Sequence, residues 1–212
     1  HHLVLPRRSM DFSDNNVSEI FFVDGAETAL TRDQKETLSS AAAHFIECFD
    51  IDDEVDVYIS KKSVLHKVGG ANALAWHVAP QYNRDNHIVC VFVDPEESLK
   101  SMIISLAHEM IHAWQVNRGD MQGANWKKQD YSQLPYQLQP WEIEAHGFMK
   151  QVAGFYFEDR QPSASELSAM TAKTDLAVKE LNTQVGNQQL KNKVMKVAKV
   201  AGLVGLGALF GI

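Results

Sequence analysis

The sequence predicts an α+β domain, and three observations predict it. Helix-capping signals open amphipathic stretches at Thr31–Gln34, Asp94–Glu97 and Ser163–Glu166. Short apolar or alternating runs fall between the first two of these, where strands are expected. The order is helix, strands, helix, loop, helix, with no internal repeat, rather than a regular alternation of strand and helix.

Each element can be justified in turn. Phe21–Val23 is a short apolar run ending in the turn signal Asp24-Gly25. Thr31 with Gln34 forms a capping box, and Leu38, Ala42, Phe45 and Phe49 follow at helical spacing. Val55, Val57 and Ile59 alternate as in a half-buried strand. Gly69-Gly70 breaks the chain, Ala71–Val78 reads as a second strand, Asn83–Asn86 as a turn, and Ile88–Val93 as a buried strand.

Asp94 is placed to cap the next helix, with Pro95 at its first position and Glu97 closing a capping box. Its expected buried stripe is Ile103, Leu106, Ala107, Met110, Ile111 and Trp114, and Gly119 is placed to stop it. Residues 120–139 read as a polar, aromatic-rich loop. A helix from Pro140 would bury Trp141, Ala145, Phe148, Val152 and Phe155. Ser163 and Glu166 open a last helix whose Leu167, Met170, Thr174, Leu181 and Val185 keep near-heptad spacing, and Gly186 ends it.

Composition narrows the class. The chain has 212 residues, 45% of them apolar, enough for one globular domain with an appendage. A formal charge of −7 disfavours a nucleic-acid partner, because phosphate backbones reward dense Lys/Arg surfaces. Cys48 and Cys90 lack metal-ligand spacing, and two thiols make no disulfide framework, so a reducing, cytoplasmic setting is expected. Residues 1–9 look like the remnant of a purification tag. The domain is then expected over 10–160, with a helical appendage over 161–212.

The chemistry concentrates at His108, Glu109 and His112. Residues i and i+4 of a helix share a face, so both imidazoles can reach one metal ion, with Glu109 beside them to polarise a water. Zinc suits such donors: it accepts imidazole nitrogen and carboxylate oxygen, and a catalytic site uses three protein ligands. Chance produces this five-residue pattern in a chain of this length on the order of once in a hundred, which favours a metal site over an ordinary helix.

The run Leu106-Ala-His-Glu-Met-Ile-His-Ala-Trp114 resembles the active helix of zincin metallopeptidases, the SprT-like group in particular. Asn72-Ala-Leu-Ala-Trp76 is similar to the edge strand with which thermolysin-like enzymes bind a substrate backbone. Trp141-Glu-Ile-Glu-Ala-His146 resembles the element that carries the glutamate ligand of gluzincins. The resemblance implies a zincin-like fold, one zinc ion per chain and hydrolysis of peptide bonds. It makes Glu142 the third ligand and puts His146 where that family has Asp or Asn supporting a ligand. On the helical wheel Glu142 and Glu144 both flank the buried stripe, so Glu144 stays open as the alternative. The SprT-like pattern would put a third histidine where this chain has Gln122, a poor zinc ligand.

An oxyanion-stabilising donor is also required, and Tyr131, Tyr136, His77 and His146 are in range, Tyr136 being the first choice. His44, His66 and His87 read as exposed or core-edge histidines. The rival reading is a zincin-fold module that binds without turnover, which would not require Glu109. Leu190–Ile212 begins with lysines and turns wholly apolar from Val200. That gradient suits an interfacial helix or a partner contact and is too short for a membrane span.

Overall fold

A computed structural model describes residues 2–3, 20–23, 25–61, 75–78, 87–93 and 98–185. The expectations at Asp24, His66, Gly69-Gly70, Asn83–Asn86, Asp94–Glu97 and Gly186–Ile212 lie outside these residues, as does the first half of the strand expected at Ala71–Val78.

The described chain is mixed α and β. Its elements are β1 (His2–Leu3), β2 (Ile20–Phe22), α1 (Ala26–Ala29), α2 (Arg32–Phe49), β3 (Val55–Lys61), β4 (Ala75–Val78), β5 (His87–Val93) and α3 (Leu99–Asn117). There follow β6 (Met121–Gln122), β7 (Asn125–Trp126), β8 (Gln129–Asp130), a 3₁₀ turn (Tyr136–Leu138), α4 (Pro140–Phe157) and α5 (Ala164–Val185).

The main sheet runs β1-β2-β3-β5-β4. Its middle, β2, β3 and β5, is parallel, and β1 and β4 are antiparallel edges. Central parallel strands are covered on their faces, which is why Val55, Val57, Ile59, Val89 and Val91 are wholly buried. The antiparallel edge β4 pairs Trp76 with Cys90 and His77 with Val89. The pairing of His2–Leu3 with β2 involves residues that the sequence reading set aside as a tag.

The helices follow their capping chemistry. Thr31 Oγ1 accepts from the Gln34 amide at 3.2 Å while Gln34 Oε1 accepts from the Thr31 amide at 2.8 Å. α3 begins at Leu99, with Ser98 Oγ accepting from the Ser101 amide at 3.2 Å. Ser98 is a good cap in its own right. At its other end the Gly119 amide donates to Val116 O and the Asp120 amide to Gln115 O. Gly119 takes φ +76° there, the left-handed residue of a Schellman stop.

α3 packs on β4 and β5 and is flanked by α2 and α4. Ile103, Leu106, Ala107, Met110 and Ile111 of α3 meet Phe45 and Phe49 of α2 and Ala145, Val152 and Phe155 of α4 in one core. α5 packs on α4. Met170 joins that same core, Leu181 meets Ile143, and Val178 meets Trp126, Tyr131 and Trp141.

The segment expected to be a polar, aromatic-rich loop, 120–139, contains a three-stranded antiparallel meander, β6-β7-β8, over its first half. Its β7–β8 turn places Lys127 and Lys128 at φ +49° and +72°, the pattern of a two-residue type I′ hairpin. Lysines rarely signal such a turn. Tertiary bonds hold it here: the Lys127 amide donates to Asp120 O at 2.7 Å and its ammonium meets Asp175 of α5 at 2.6 Å.

Candidate metal centre

The site forms where the middle of α3 faces the first turn of α4. His108 and His112, one turn apart, present their Nε2 atoms 3.1 Å from each other. Pro140 at the first position of α4 and the preceding 3₁₀ turn set where that helix begins, which puts Glu142 in its first turn and wholly inside. Glu142 Oε1 lies 3.3 Å from His112 Nε2, and Oε2 lies 3.4 Å from His108 Nε2. His146, one turn further along α4, brings its Nε2 to 3.4 Å from the same Oε2.

These spacings can be compared with a metal's needs. Ligand atoms about 2.0–2.1 Å from a tetrahedral zinc ion stand roughly 3.3 Å from one another. The separations of 3.1, 3.3 and 3.4 Å among His108, His112 and Glu142 are of that size. His108, Glu142 and His146 likewise offer ligand atoms within 4.8 Å of one another, so His146 stands within reach of the same ion. Among the described residues Glu142 Oε2 is buried without a hydrogen bond, the condition of a carboxylate oxygen suited to a cation. The donor set, imidazole nitrogens and carboxylate oxygen, fits zinc.

The electrostatics are those of buried groups at close range. Burial disfavours a charged His112, but the Glu142 carboxylate outweighs it and raises the imidazole to about 9. Burial likewise pushes Glu142 up, yet His112 and His108 hold it well below the usual carboxylate range. Burial raises Glu109, with the two histidines pulling the other way. Burial lowers His146 to about 4, helped by the neighbouring His108. Glu109 Oε1 is 4.0 Å from His108 Nε2, so it borders the cluster without closing on it.

Tyr136 stands at the rim, 58% exposed as a residue. Its hydroxyl is raised by burial, by the charge of Glu142, by a hydrogen bond to that carboxylate and by Glu109. Tyr131 is buried away from the cluster, where Asn182 of α5 donates to its hydroxyl at 2.8 Å. His77 lies in the edge strand β4. Gln122 is exposed in the meander and takes no part. His44 meets Phe45 and Tyr156 edge-on at the core boundary. His87 differs from the exposed or core-edge reading: it is wholly buried at the head of β5, 3.5 Å from Asp53.

Glu144, the alternative ligand, points elsewhere. Its carboxylate accepts from Gln115 Nε2 at 3.0 Å, from Thr174 Oγ1 at 3.2 Å and from Arg118 Nη2. Gln115 in turn meets His112 Nδ1 at 2.8 Å. Gln115, Arg118 and Thr174 were not anticipated from the sequence. The signal available was a glutamine inside an otherwise apolar helix face three residues after His112, since a buried amide must find partners.

Comparison with family models, with curated proteins and with solved structures returns no match for this chain.

Proposed function

We propose that the protein is a zincin-like, zinc-dependent metallopeptidase that hydrolyses peptide bonds. The observation that carries this reading is the convergence of His108, His112 and Glu142 at metal-ligand spacing, with Glu109 alongside. A module that only bound zinc would have no use for a second buried carboxylate beside the ligands.

When bound, zinc supplies Lewis acidity, easing deprotonation of water and polarising the scissile carbonyl. His108, His112 and Glu142 hold the ion. Glu109 accepts the proton of the attacking water and passes it to the leaving amine; burial, by raising its pKa, brings it nearer to that amine-protonating task. Tyr136 and His146, each next to the Glu142 carboxylate, would donate toward the oxygen on which negative charge develops. An extended peptide would add to β4, the outer strand among the described residues, antiparallel to β5 and packed on the helix α3 that carries His108 and His112.

The test is metal analysis of the purified chain together with a peptide-library assay, with and without chelator, on wild type and Glu109→Gln. The expected result is about one zinc per chain in both proteins, with turnover only in the wild type. Zinc-free wild-type protein, or equal cleavage by both, overturns the reading.

A further inference from the structure

Four polar side chains behind His112 form a chain of bonds with only one consistent assignment of hydrogens. Gln115 sits one helical turn after His112, fully buried. Its Nε2 lies 2.9 Å from Trp141 O and 3.0 Å from Glu144 Oε2, two atoms that can only accept. The amide nitrogen must therefore face them, and Oε1 must face His112. At 2.8 Å from that oxygen, His112 Nδ1 has to carry a hydrogen and donate it.

Glu144 is itself pinned by Arg118 Nη2 and by Thr174 Oγ1, and Arg118 also pairs with Asp120 at 2.6 Å. Arg118 is further held with its guanidinium 3.9 Å above the Trp114 ring. The anchor thus draws on three elements, α3, α4 and α5, none of which could fix His112 alone.

We infer that Gln115, oriented by Glu144, is a positioning residue that locks His112 in the tautomer carrying hydrogen on Nδ1, leaving Nε2 as the metal-binding nitrogen. Without the Gln115 acceptor the hydrogen is no longer held on Nδ1, and either nitrogen can carry it. Partners of this kind are worth roughly ten- to a hundredfold in metal affinity. The amide does the work of the carboxylate often found behind such a ligand, but adds no negative charge of its own. Glu144 supplies the charge one bond further back, where Arg118 neutralises it. The affinity consequence rests on the zinc reading above; the bond that keeps a hydrogen on Nδ1 does not.

The test uses the full chain and two readouts. Zinc affinity is measured by competition with a chromophoric chelator, and the His112 Nδ1–H proton is followed by ¹H–¹⁵N NMR in metal-free and zinc-loaded protein. Wild type should show a slowly exchanging, downfield Nδ1–H signal in both states. Gln115→Leu should lose that signal and bind zinc roughly ten- to a hundredfold more weakly. Gln115→Glu restores an acceptor but sets a second carboxylate against Glu144, and should also bind poorly. Gln115→Met, close to glutamine in length and volume, fills the site without an acceptor and should lose both the signal and the affinity as Gln115→Leu does.

Wild-type affinity and a persistent Nδ1–H in Gln115→Leu would overturn the lock. So would a folded Gln115→Met that keeps wild-type affinity and the Nδ1–H signal, which also decides the matter if Gln115→Leu does not fold. Wild-type protein that binds no zinc but keeps the Gln115-dependent proton would refute the metal reading and leave the lock standing.

Discussion

His112 and Glu142 face each other across the α3–α4 interface, Nε2 to Oε1 at 3.3 Å, both buried. Each perturbs the other in the direction of charge: the imidazole is raised to about 9 and the carboxyl held low. A proton on His112 and a divalent cation would satisfy this carboxylate in the same place, so the two should compete.

That competition has a pH signature. His112 titrates near 6.5 when unfolded and near 9 in the metal-free fold, so the fold holds the extra proton between those values. Its stabilisation is complete below about 6.5 and is lost as pH rises through 9. The melting temperature of metal-free protein should therefore fall between pH 6.5 and 9, and His112→Ala should flatten that fall. Zinc-loaded protein should lack it, with zinc binding tightening as pH rises because binding releases the proton. A metal-free melting temperature that rises across this window would contradict the pairing.

Glu142 and Glu144 should separate cleanly. Glu142→Ala removes a group set at ligand distance from both histidines and should cost most of the zinc affinity. Glu144→Gln keeps one acceptor oxygen for Arg118 and Gln115 and turns its NH2 toward Thr174 Oγ1, which can accept, and should retain zinc within about tenfold. Competition titration of the two variants checks this, and the reverse ranking would make Glu144 the ligand.

In the proposed reaction Tyr136 would turn its hydroxyl toward charge that develops only as the bond is attacked. Tyr136→Phe should leave zinc content unchanged and lower kcat roughly a hundredfold or more with little change in KM. An unchanged kcat would remove it from the site.

Arg118 compensates a carboxylate that is wholly buried. Replacing it by methionine leaves Glu144 with neutral donors only, and breaking a buried pair in this way costs about 3–5 kcal/mol. Urea unfolding measures it. A loss below about 1 kcal/mol would mean that Thr174 and Gln115 suffice.

Local chemistry made much of this molecule legible before its coordinates. The Thr31–Gln34 and Ser163–Glu166 boxes close as drawn, since capping is decided within four residues. The buried stripes of α2, α3 and α4 appear because helical spacing alone puts those side chains on one face. For the same reason His108 and His112 are neighbours in any helix that contains them.

What lies between helices was not legible. The wheel left Glu142 and Glu144 equivalent, and both are buried. Only the docking of α4 on α3, with Arg118 and Thr174 waiting for one carboxylate and two imidazoles for the other, gave them different partners. The Lys127-Lys128 turn was hidden likewise, because a left-handed lysine is unfavourable on its own and Asp120 and Asp175 hold it from a distance. The sequence by itself determined which residues share a face. The tertiary structure alone decided which faces meet, because a buried charge or amide takes its role from the group packed opposite.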